Sequence, residues 1–250
     1  MSLVLETIGL EKRFGGIIAA RNVALRLEPG ARHALIGPNG AGKTTLVNLL
    51  TGALRPSAGR IMLRGQDITA LKPHRRARLG IVRTFQINQL FADLTPLETI
   101  CLAVAERLGA GRDWRRLLGA RPQLVAQAAR VLEAFRLADV MDARTAILPY
   151  GKQRLLEIAL ATAGRPRVLL LDEPAAGIPE VERHVILDIV AALPAEVSVL
   201  LIEHDMDLVF QFARRISILV DGAIFAEGTP EEIARDRRVK EVYLGEARHG

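Results

Sequence analysis

The feature that most constrains this chain is a glycine-rich octapeptide placed between an apolar segment and a helix. The octapeptide reads Gly37-Pro38-Asn39-Gly40-Ala41-Gly42-Lys43-Thr44, and Thr45 follows it. Residues 34–36 before it are apolar, and the helix after it is expected to end at Gly52, a suitable C-cap. Both the pattern and its context match a P-loop, whose backbone N–H groups converge on phosphate oxygens. We therefore predict a phosphate-binding loop over residues 37–45.

The chemistry of the loop predicts Mg·ATP as its ligand. The helix N-terminus favours negative charge, and Lys43 is expected to reach the β and γ phosphates. The Thr44 hydroxyl is a suitable ligand for Mg²⁺. The alternative is an ordinary glycine-rich turn before a helix that happens to carry Lys and Thr.

Two adjacent carboxylates follow an apolar strand much later in the chain. Residues 168–171 are Val-Leu-Leu-Leu, and Asp172 and Glu173 come directly after them. Beside a P-loop, Asp172 would bind Mg²⁺ directly or through water, and Glu173 would act as general base on the attacking water. The alternative is a strand that simply runs into a polar loop.

Composition excludes several classes of protein. Half of the residues are hydrophobic and 25% are charged, which is typical of a folded globular chain. No apolar run approaches the roughly 18 residues of a membrane span, and the N-terminus has no secretory pattern, so we expect a cytosolic protein. The single cysteine, Cys101, excludes an intramolecular disulfide and is expected to be a small buried residue.

The net charge of +6 comes from two local basic clusters. One spans residues 74–78, and the other comprises five arginines between Arg107 and Arg121. Nucleic acid, anionic lipid or an acidic partner would each suit such a cluster, and a solvated face is the simplest interpretation. Neither cluster carries the interleaved aromatic residues of a single-strand binding groove.

The order of apolar segments predicts an α/β fold with a helical insertion. Short strands are expected over residues 3–14, 23–27, 33–36 and 60–63, with one helix after the P-loop. Helical periodicity dominates from Pro96 to about Gly164. After it, strands over residues 168–171, 197–202 and 216–220 alternate with helices over residues 180–193 and 205–212. We predict one domain, 1–250, with its core at about 1–87 and 165–250 and a helical subdomain at about 88–164.

This order of motifs resembles the nucleotide-binding subunit of ATP-binding cassette (ABC) transporters. The resemblance covers essentially the whole chain and implies a P-loop NTPase (RecA-like) core with an N-terminal antiparallel β subdomain and an inserted α-helical subdomain. It implies that Phe14 stacks on adenine, with a buried core phenylalanine as the alternative. It also implies that Gln86 contacts Mg²⁺ or water and links the site to the membrane partner, and that His204 contacts the γ-phosphate.

The segment that resembles the family's signature motif departs from the usual Leu-Ser-Gly-Gly-Gln. It reads Leu148-Pro149-Tyr150-Gly151-Lys152. In the family, this segment is presented by a second subunit, so that two ATP molecules lie between two chains. Pro149 removes a hydroxyl and an N–H, whereas Tyr150, Gly151 and the helix N-terminus can still meet ATP, with the charge of Lys152 nearby. Pro179 similarly replaces a coupling aspartate of the family.

Several of the departures resemble the ATPase subunits of branched-chain amino acid importers. They include the block Arg83-Thr84-Phe85-Gln86 and the segment Leu201-Ile202-Glu203-His204-Asp205-Met206. The implied partners are permease subunits, a second ATPase (identical or paralogous) and, indirectly, an extracytoplasmic solute-binding protein. No nucleic acid is expected, and the implied place is the cytoplasmic face of the membrane. Alternatives are a urea, amide or other solute importer, a soluble ABC ATPase acting on nucleic acid or ribosomes, and a cassette that binds ATP without hydrolysis.

Overall fold

The computed structural model describes residues 3–84, 90–109 and 121–246, and their side chains up to residue 241. The chain divides into two compact units. The first comprises Met1–Arg83, Arg167–Glu173 and Leu193–Gly250, and the second comprises Thr84–Pro166 and Pro174–Ala192.

The first unit combines strands and helices from both ends of the chain. Its N-terminal part consists of β1 (Leu5–Phe14), β2 (Ile17–Val23), β3 (Arg26–Leu27), β4 (Arg32–Ile36), α1 (Lys43–Thr51), β5 (Ala58–Leu63), β6 (Gln66–Asp67), α2 (Pro73–Leu79) and β7 (Ile81–Arg83). The second unit contains α3 (Pro96–Arg107), α4 (Pro122–Ala134), α5 (Tyr150–Ala163) and, later in the chain, α6 (Glu180–Ala191). The first unit resumes with β8 (Val168–Asp172) and continues through β9 (Ser198–Ile202), α7 (Met206–Phe212), β10 (Arg215–Val220), β11 (Ala223–Gly228), α8 (Pro230–Arg235) and α9 (Arg237–Glu246).

The strands of the first unit form two sheets. One is antiparallel, with strand order β2-β1-β5-β6 and β3 also paired to β1. The other has the order β11-β10-β4-β9-β8-β7 and is parallel except for β11. Every residue of β4, β8 and β9 is buried, as expected for parallel strands covered on both faces. The carboxyl ends of the parallel strands share one edge, where polar side chains can leave the core.

The core of the first unit joins helix α1 to both sheets. Leu46, Val47, Leu49 and Leu50 of α1 are fully buried, together with residues of the antiparallel and parallel sheets. Burial of each such leucine contributes roughly 2 kcal/mol. Helix α1 ends at Gly52, whose left-handed conformation (φ 82°) lets its N–H bond to the Leu49 carbonyl, as predicted.

The second unit is helical in the described ranges. Helix α3 packs against α4 and α5 through buried side chains that include Ile100, Val104, Leu124 and Leu132. Helix α3 begins with a capping box, in which Thr95 accepts from the Glu98 N–H and Glu98 accepts from the Thr95 N–H. Cys101 is buried in α3, as expected. Among the described residues, no helix is long and apolar enough to span a bilayer.

The predicted α/β fold class is confirmed, and several elements were not predicted. The strand expected over residues 23–27 is the end of β2 followed by the short β3. The earlier part of β2 was missed although it begins with four apolar residues, and strands β6, β7 and β11 and helices α8 and α9 were missed as well. Helix α2 was also missed, although Pro73 opens it and Gly80 ends it.

Arg76 of helix α2 corrects the interpretation of the first basic cluster as a solvated face. Its side chain is buried, whereas those of His74, Arg75 and Arg78 are exposed. The guanidinium donates to the carbonyls of Leu49 and Leu50 at 2.6 and 2.9 Å and to those of Thr69 and Leu71. Since the last carbonyls of a helix have no partner within it, Arg76 satisfies the C-terminus of α1.

Candidate functional site

The P-loop connects β4 to α1 in a conformation that requires glycine. Gly37, Gly40 and Gly42 have φ values of 156°, 79° and 99°, and Gly42 is the N-cap of α1. A Cβ on Gly37 would overlap the Leu219 carbonyl oxygen, and one on Gly42 would lie 2.5 Å from the Ala19 carbonyl oxygen. A Cβ on Gly40 would meet open space. The backbone therefore approaches its neighbours at two glycines, and at the third it faces open space.

Lys43 is the first residue of α1, and its side chain folds back over the loop. Its ammonium donates hydrogen bonds to the carbonyl oxygens of Gly37 and Pro38, the latter at 2.8 Å. Thr44 is exposed, and Thr45 is half-buried. The loop thus presents an ammonium, a hydroxyl and the N-terminus of a helix together, a combination that suits an anion.

Asp172 ends strand β8 and is buried, with its side chain 5% exposed. Its Oδ2 accepts a hydrogen bond from Nη2 of Arg83 at 2.5 Å, and Nη1 of the same guanidinium donates to Oδ1 of Asn48 at 2.7 Å. Sequence reasoning missed this pairing of Arg83 with Asp172. Since the Arg83 guanidinium lies against the Asp172 carboxylate, the surroundings of this carboxylate accommodate a positive charge.

Glu173 occupies a left-handed backbone conformation, with φ 45°, directly after strand β8. Its N–H donates to the Ile202 carbonyl at 2.9 Å, which holds this backbone against the end of β9. Such a conformation in a non-glycine residue costs of order 1 kcal/mol or more and is common at functional sites. The Glu173 side chain is half-exposed, whereas that of the preceding Asp172 is buried.

His204 follows strand β9 and lies beside Glu173. Its Nδ1 is 3.6 Å from Oε1 of Glu173, and its side chain is 68% exposed. The buried Glu203 accepts a hydrogen bond from the His204 N–H at 3.1 Å, and Asp205 caps helix α7 through the Asp207 and Leu208 N–H groups. The backbone on both sides of His204 is therefore held, while its imidazole is open to solvent.

Phe14 lies at the end of β1 with 46% of its surface exposed. The alternative of a buried core phenylalanine is therefore wrong. The ammonium of Lys12 lies 4.9 Å from the centre of the Phe14 ring, close enough for a cation–π interaction. The ring is available to a planar ligand, and its stacking on adenine stays a prediction.

The signature segment belongs to the second unit. Pro149 is the N-cap of helix α5, and Tyr150 is exposed, with its hydroxyl 3.4 Å from the Ala176 carbonyl oxygen. A Cβ on Gly151 would lie 2.5 Å from a carboxylate oxygen of Glu182. Gly151 therefore lies against the Glu182 side chain of helix α6, and a larger residue here would displace that carboxylate.

Lys152 is paired within the second unit, and its role near a nucleotide stays a prediction. Its ammonium donates to Asp139 at 2.9 Å and to the Arg136 carbonyl at 2.7 Å. This hydrogen bond holds the pKa of the Asp139 carboxyl below its usual value. The charge of Lys152 is balanced within the second unit by an exposed carboxylate.

Gln86 lies outside the described residues, as do Phe85 and residues 110–120 of the second basic cluster. Within the described ranges, no cluster of three or more His, Cys, Asp or Glu side chains could hold a metal ion. A metal at Asp172 would therefore need further oxygen ligands from a hydroxyl, water or a nucleotide, which is how Mg²⁺ is ordinarily bound.

Comparison with known proteins identifies the family. Residues 20–176 match the family model described as ABC transporter. The chain belongs to the ABC transporter family. This ABC protein therefore has the predicted nucleotide-binding cassette, and the predictions of its family and of ATPase activity are confirmed.

Relatives and solved structures agree over nearly the whole length of this ABC protein. It is 41% identical to the high-affinity branched-chain amino acid transport ATP-binding protein BraF of Pseudomonas aeruginosa and to LivG of Escherichia coli, over 98% of each chain. Residues 223–249 match a second model, described as branched-chain amino acid ATP-binding cassette transporter. A crystal structure of the ADP conformation of an ABC cassette superposes with a TM-score of 0.85 and 31% identity over 98% of this chain and 99% of the other. A nucleotide-free cassette superposes with a TM-score of 0.82 and 31% identity over 97% of this chain and 99% of the other.

Proposed function

We propose that this ABC protein is the ATP-hydrolysing subunit of an importer for branched-chain amino acids, held at the cytoplasmic face of the membrane by permease subunits. The observation that carries the ATPase part is the presence of Lys43, Asp172, Glu173 and His204 in one compact unit. The substrate class rests on the C-terminal match over residues 223–249 and on the relatives named for this transport.

The residues of the first unit fit Mg·ATP. Lys43 now donates to two neutral carbonyls, and phosphate oxygens would offer it charged acceptors. The nucleotide-binding residues are Phe14, 37–45 of the P-loop and, from a second subunit, Tyr150 and Gly151. Thr44, Gln86 and Asp172 would hold Mg²⁺, with the Arg83 guanidinium at Asp172 standing in for that cation. When bound, Mg²⁺ supplies charge neutralisation on the phosphate oxygens.

Glu173 and His204 carry the hydrolytic step in this proposal. Glu173 accepts the proton of the attacking water, because its carboxylate is half-exposed and can be reached by water, whereas that of Asp172 is buried. His204 donates a hydrogen bond to the γ-phosphate. Its Nδ1 lies 3.6 Å from Oε1 of Glu173, so the two side chains are adjacent. The held backbones at the ends of β8 and β9 preorganise this pair.

The partners follow from the same proposal. A second ATPase subunit, identical or paralogous, supplies the signature segment, and permease subunits receive the movement through the Gln86 region. An extracytoplasmic solute-binding protein acts indirectly, and no nucleic acid is involved. The chain works as one ABC ATPase domain over residues 1–250.

Replacement of Glu173 by Gln tests the hydrolytic assignment. The amide keeps the shape of the side chain and cannot accept the proton, so we expect ATP binding to persist while turnover falls by about 100-fold or more. Phosphate release by the assembled transporter is the measurement, and Glu196→Gln, at an exposed glutamate of the same unit, is the matched control. Full turnover in Glu173→Gln would remove Glu173 as the base.

Replacement of Lys43 by Ala tests the P-loop. Loss of the ammonium removes a charge-assisted hydrogen bond to phosphate, so calorimetry should show ATP affinity reduced by about tenfold or more. Lys72→Ala, at an exposed lysine of the same unit, is the control and should bind as the wild type does. Equal affinities in the two variants would contradict the P-loop assignment.

The substrate class is tested on the assembled complex. The chain is purified from solubilised membranes, and its co-purifying subunits are identified by mass spectrometry. Phosphate release is then measured with solute-binding protein loaded with leucine or with urea. Stimulation by leucine supports the proposal, stimulation by urea favours an amide importer, and co-purifying nucleic acid without permease favours a soluble ABC ATPase.

A further inference from the structure

The carboxylate of Asp172 is held by a cation that belongs to the chain itself. Arg83 is the last residue of β7, and its guanidinium contacts Oδ2 of Asp172 and Oδ1 of Asn48 with two different nitrogens. The Arg83 and Asp172 side chains are 14% and 5% exposed. This is a charge-assisted bond in a largely dry site, the class of hydrogen bond that contributes most to stability.

The placement of Arg83 follows from the sheet. Strand β7 runs parallel to β8 with Arg83 opposite Leu170, so both strands end at the same edge. Asp172 is two residues further along β8, and Asn48 is in α1, the helix that follows the P-loop. The guanidinium therefore ties the edge strand, the acidic strand and the P-loop helix together, all within the first unit.

We propose that Arg83 is a positioning residue that competes with Mg²⁺ for Asp172. The inference rests on the proposed function, in which Asp172 holds the metal. A buried carboxylate without a counter-charge is strongly unfavourable, so the Arg83 guanidinium supplies a counter-charge to Asp172 and holds its side chain in place in the metal-free protein. Entry of Mg²⁺ releases the guanidinium from Asp172, and Asn48 continues to accept from it.

The competition has a definite sign. In the wild type, part of the free energy of metal binding is used to break the Arg83–Asp172 contact. Without the guanidinium, Asp172 loses a counter-charge that the metal can supply and the metal no longer has to displace a cation, so Mg²⁺ should strengthen nucleotide binding more than it does in the wild type. If Arg83 only stabilised the fold, its loss would disorder the Asp172 side chain and weaken the metal site. Mg²⁺ would then strengthen nucleotide binding less than it does in the wild type.

The experiment measures how strongly Mg²⁺ and nucleotide promote one another's binding. The full chain is titrated with a fluorescent, non-hydrolysable ATP analogue in EDTA and again in saturating Mg²⁺. The readout is the dissociation constant in EDTA divided by the dissociation constant in Mg²⁺. We expect Arg83→Gln to raise this ratio by about tenfold, the equivalent of one lost charge-assisted hydrogen bond. Arg83→Lys, which keeps a cation, should return the ratio towards the wild-type value.

Controls separate this inference from the proposed function. Arg75→Gln, at an exposed arginine of α2, should leave the ratio unchanged. A wild-type chain that binds no nucleotide, or gains nothing from Mg²⁺, would overturn the proposed function. A wild-type ratio well above one, with an equal or lower ratio in Arg83→Gln, would overturn only the competition between Arg83 and Mg²⁺.

A second measurement uses the wild type and so does not depend on the folding of Arg83→Gln. Arginine side-chain NMR, with the Arg83 signals assigned by their loss in Arg83→Lys, follows the exchange of the Nη protons with water. Exchange should accelerate severalfold on going from the nucleotide analogue in EDTA to the same analogue with Mg²⁺. Unchanged exchange would mean that Arg83 stays on Asp172, and the inference would be wrong.

Discussion

A buried histidine makes the stability of the first unit depend on pH. His33 lies in β4, and its Nε2 is 2.8 Å from the Ser217 hydroxyl, which in turn donates to Glu227 at 2.8 Å. Because the single hydroxyl proton goes to Glu227, the imidazole donates its Nε2 proton to the Ser217 oxygen. Burial lowers the pKa of His33 to about 4, against the smaller raising effect of Glu227, and Arg215 adds to the lowering.

The sign and size of the effect follow from this pKa. The folded pKa lies below the value of 6.5 in the unfolded chain, so the unfolded state takes up the proton first as the pH falls. The contribution of neutral His33 is complete above pH 6.5 and is lost progressively between pH 6.5 and about 4. At ~1.4 kcal/mol per pKa unit, the whole loss is about 3 kcal/mol of unfolding free energy.

Urea unfolding followed by far-UV circular dichroism between pH 7.5 and 4.5 measures this loss. Wild type is compared with His33→Gln, whose amide can still donate to Ser217 and does not titrate in this range. We expect the wild type to lose about 2 to 3 kcal/mol more than His33→Gln over the interval. His74→Gln, at an exposed histidine, should behave as the wild type does. Equal losses in wild type and His33→Gln would refute the assignment of the acid sensitivity to His33.

Two further predictions concern the P-loop and the end of α1. Gly37→Ala should abolish nucleotide binding or folding, because its Cβ would overlap the Leu219 carbonyl, whereas Gly40→Ala, with open space at its Cβ, should show at most about tenfold weaker binding in the same titration. Arg76→Met should lower the unfolding free energy by about 3 kcal/mol or more, because four carbonyls lose a hydrogen bond from a charged donor and two of these bonds are buried, and Arg75→Met should change it by less than about 0.5 kcal/mol.

The P-loop could be predicted from sequence because its chemistry is contiguous. Residues 37–44 are consecutive and the Lys43 ammonium bonds to carbonyls of the same loop, so the spacing of the pattern indicates the loop. The carbonyls of Leu219 and Ala19 that Gly37 and Gly42 approach belong to distant parts of the chain and could not be predicted. The bounds of strands β2 and β3 were not predictable in this way, since they depend on the pairing of both strands with β1.

Contacts between distant residues were beyond sequence reasoning for a related reason. The pair of Ser217 with His33 depends on β10 lying beside β4, and Arg76 meets the carbonyls of α1 only once helix α2 is folded against it. A local signal for helix α2 did exist, because Pro73 and Gly80 bracket residues 74–79 at the positions favoured for the start and end of a helix. The basic composition of that segment concealed it.

The contact between Arg83 and Asp172 could be predicted only in part. The rule that located Asp172, that polar side chains appear where a buried parallel strand leaves the core, applies equally to Arg83 after Ile81 and Val82. It also applies to Glu203 and His204 after β9. What the rule cannot supply is strand order, and the sheet provides it: β7, β8 and β9 are adjacent, so their carboxyl ends bring an arginine, three acids and a histidine to one edge. The acid that ends the middle strand therefore has Arg83 on one side, whereas the next residue, Glu173, turns towards His204 on the other.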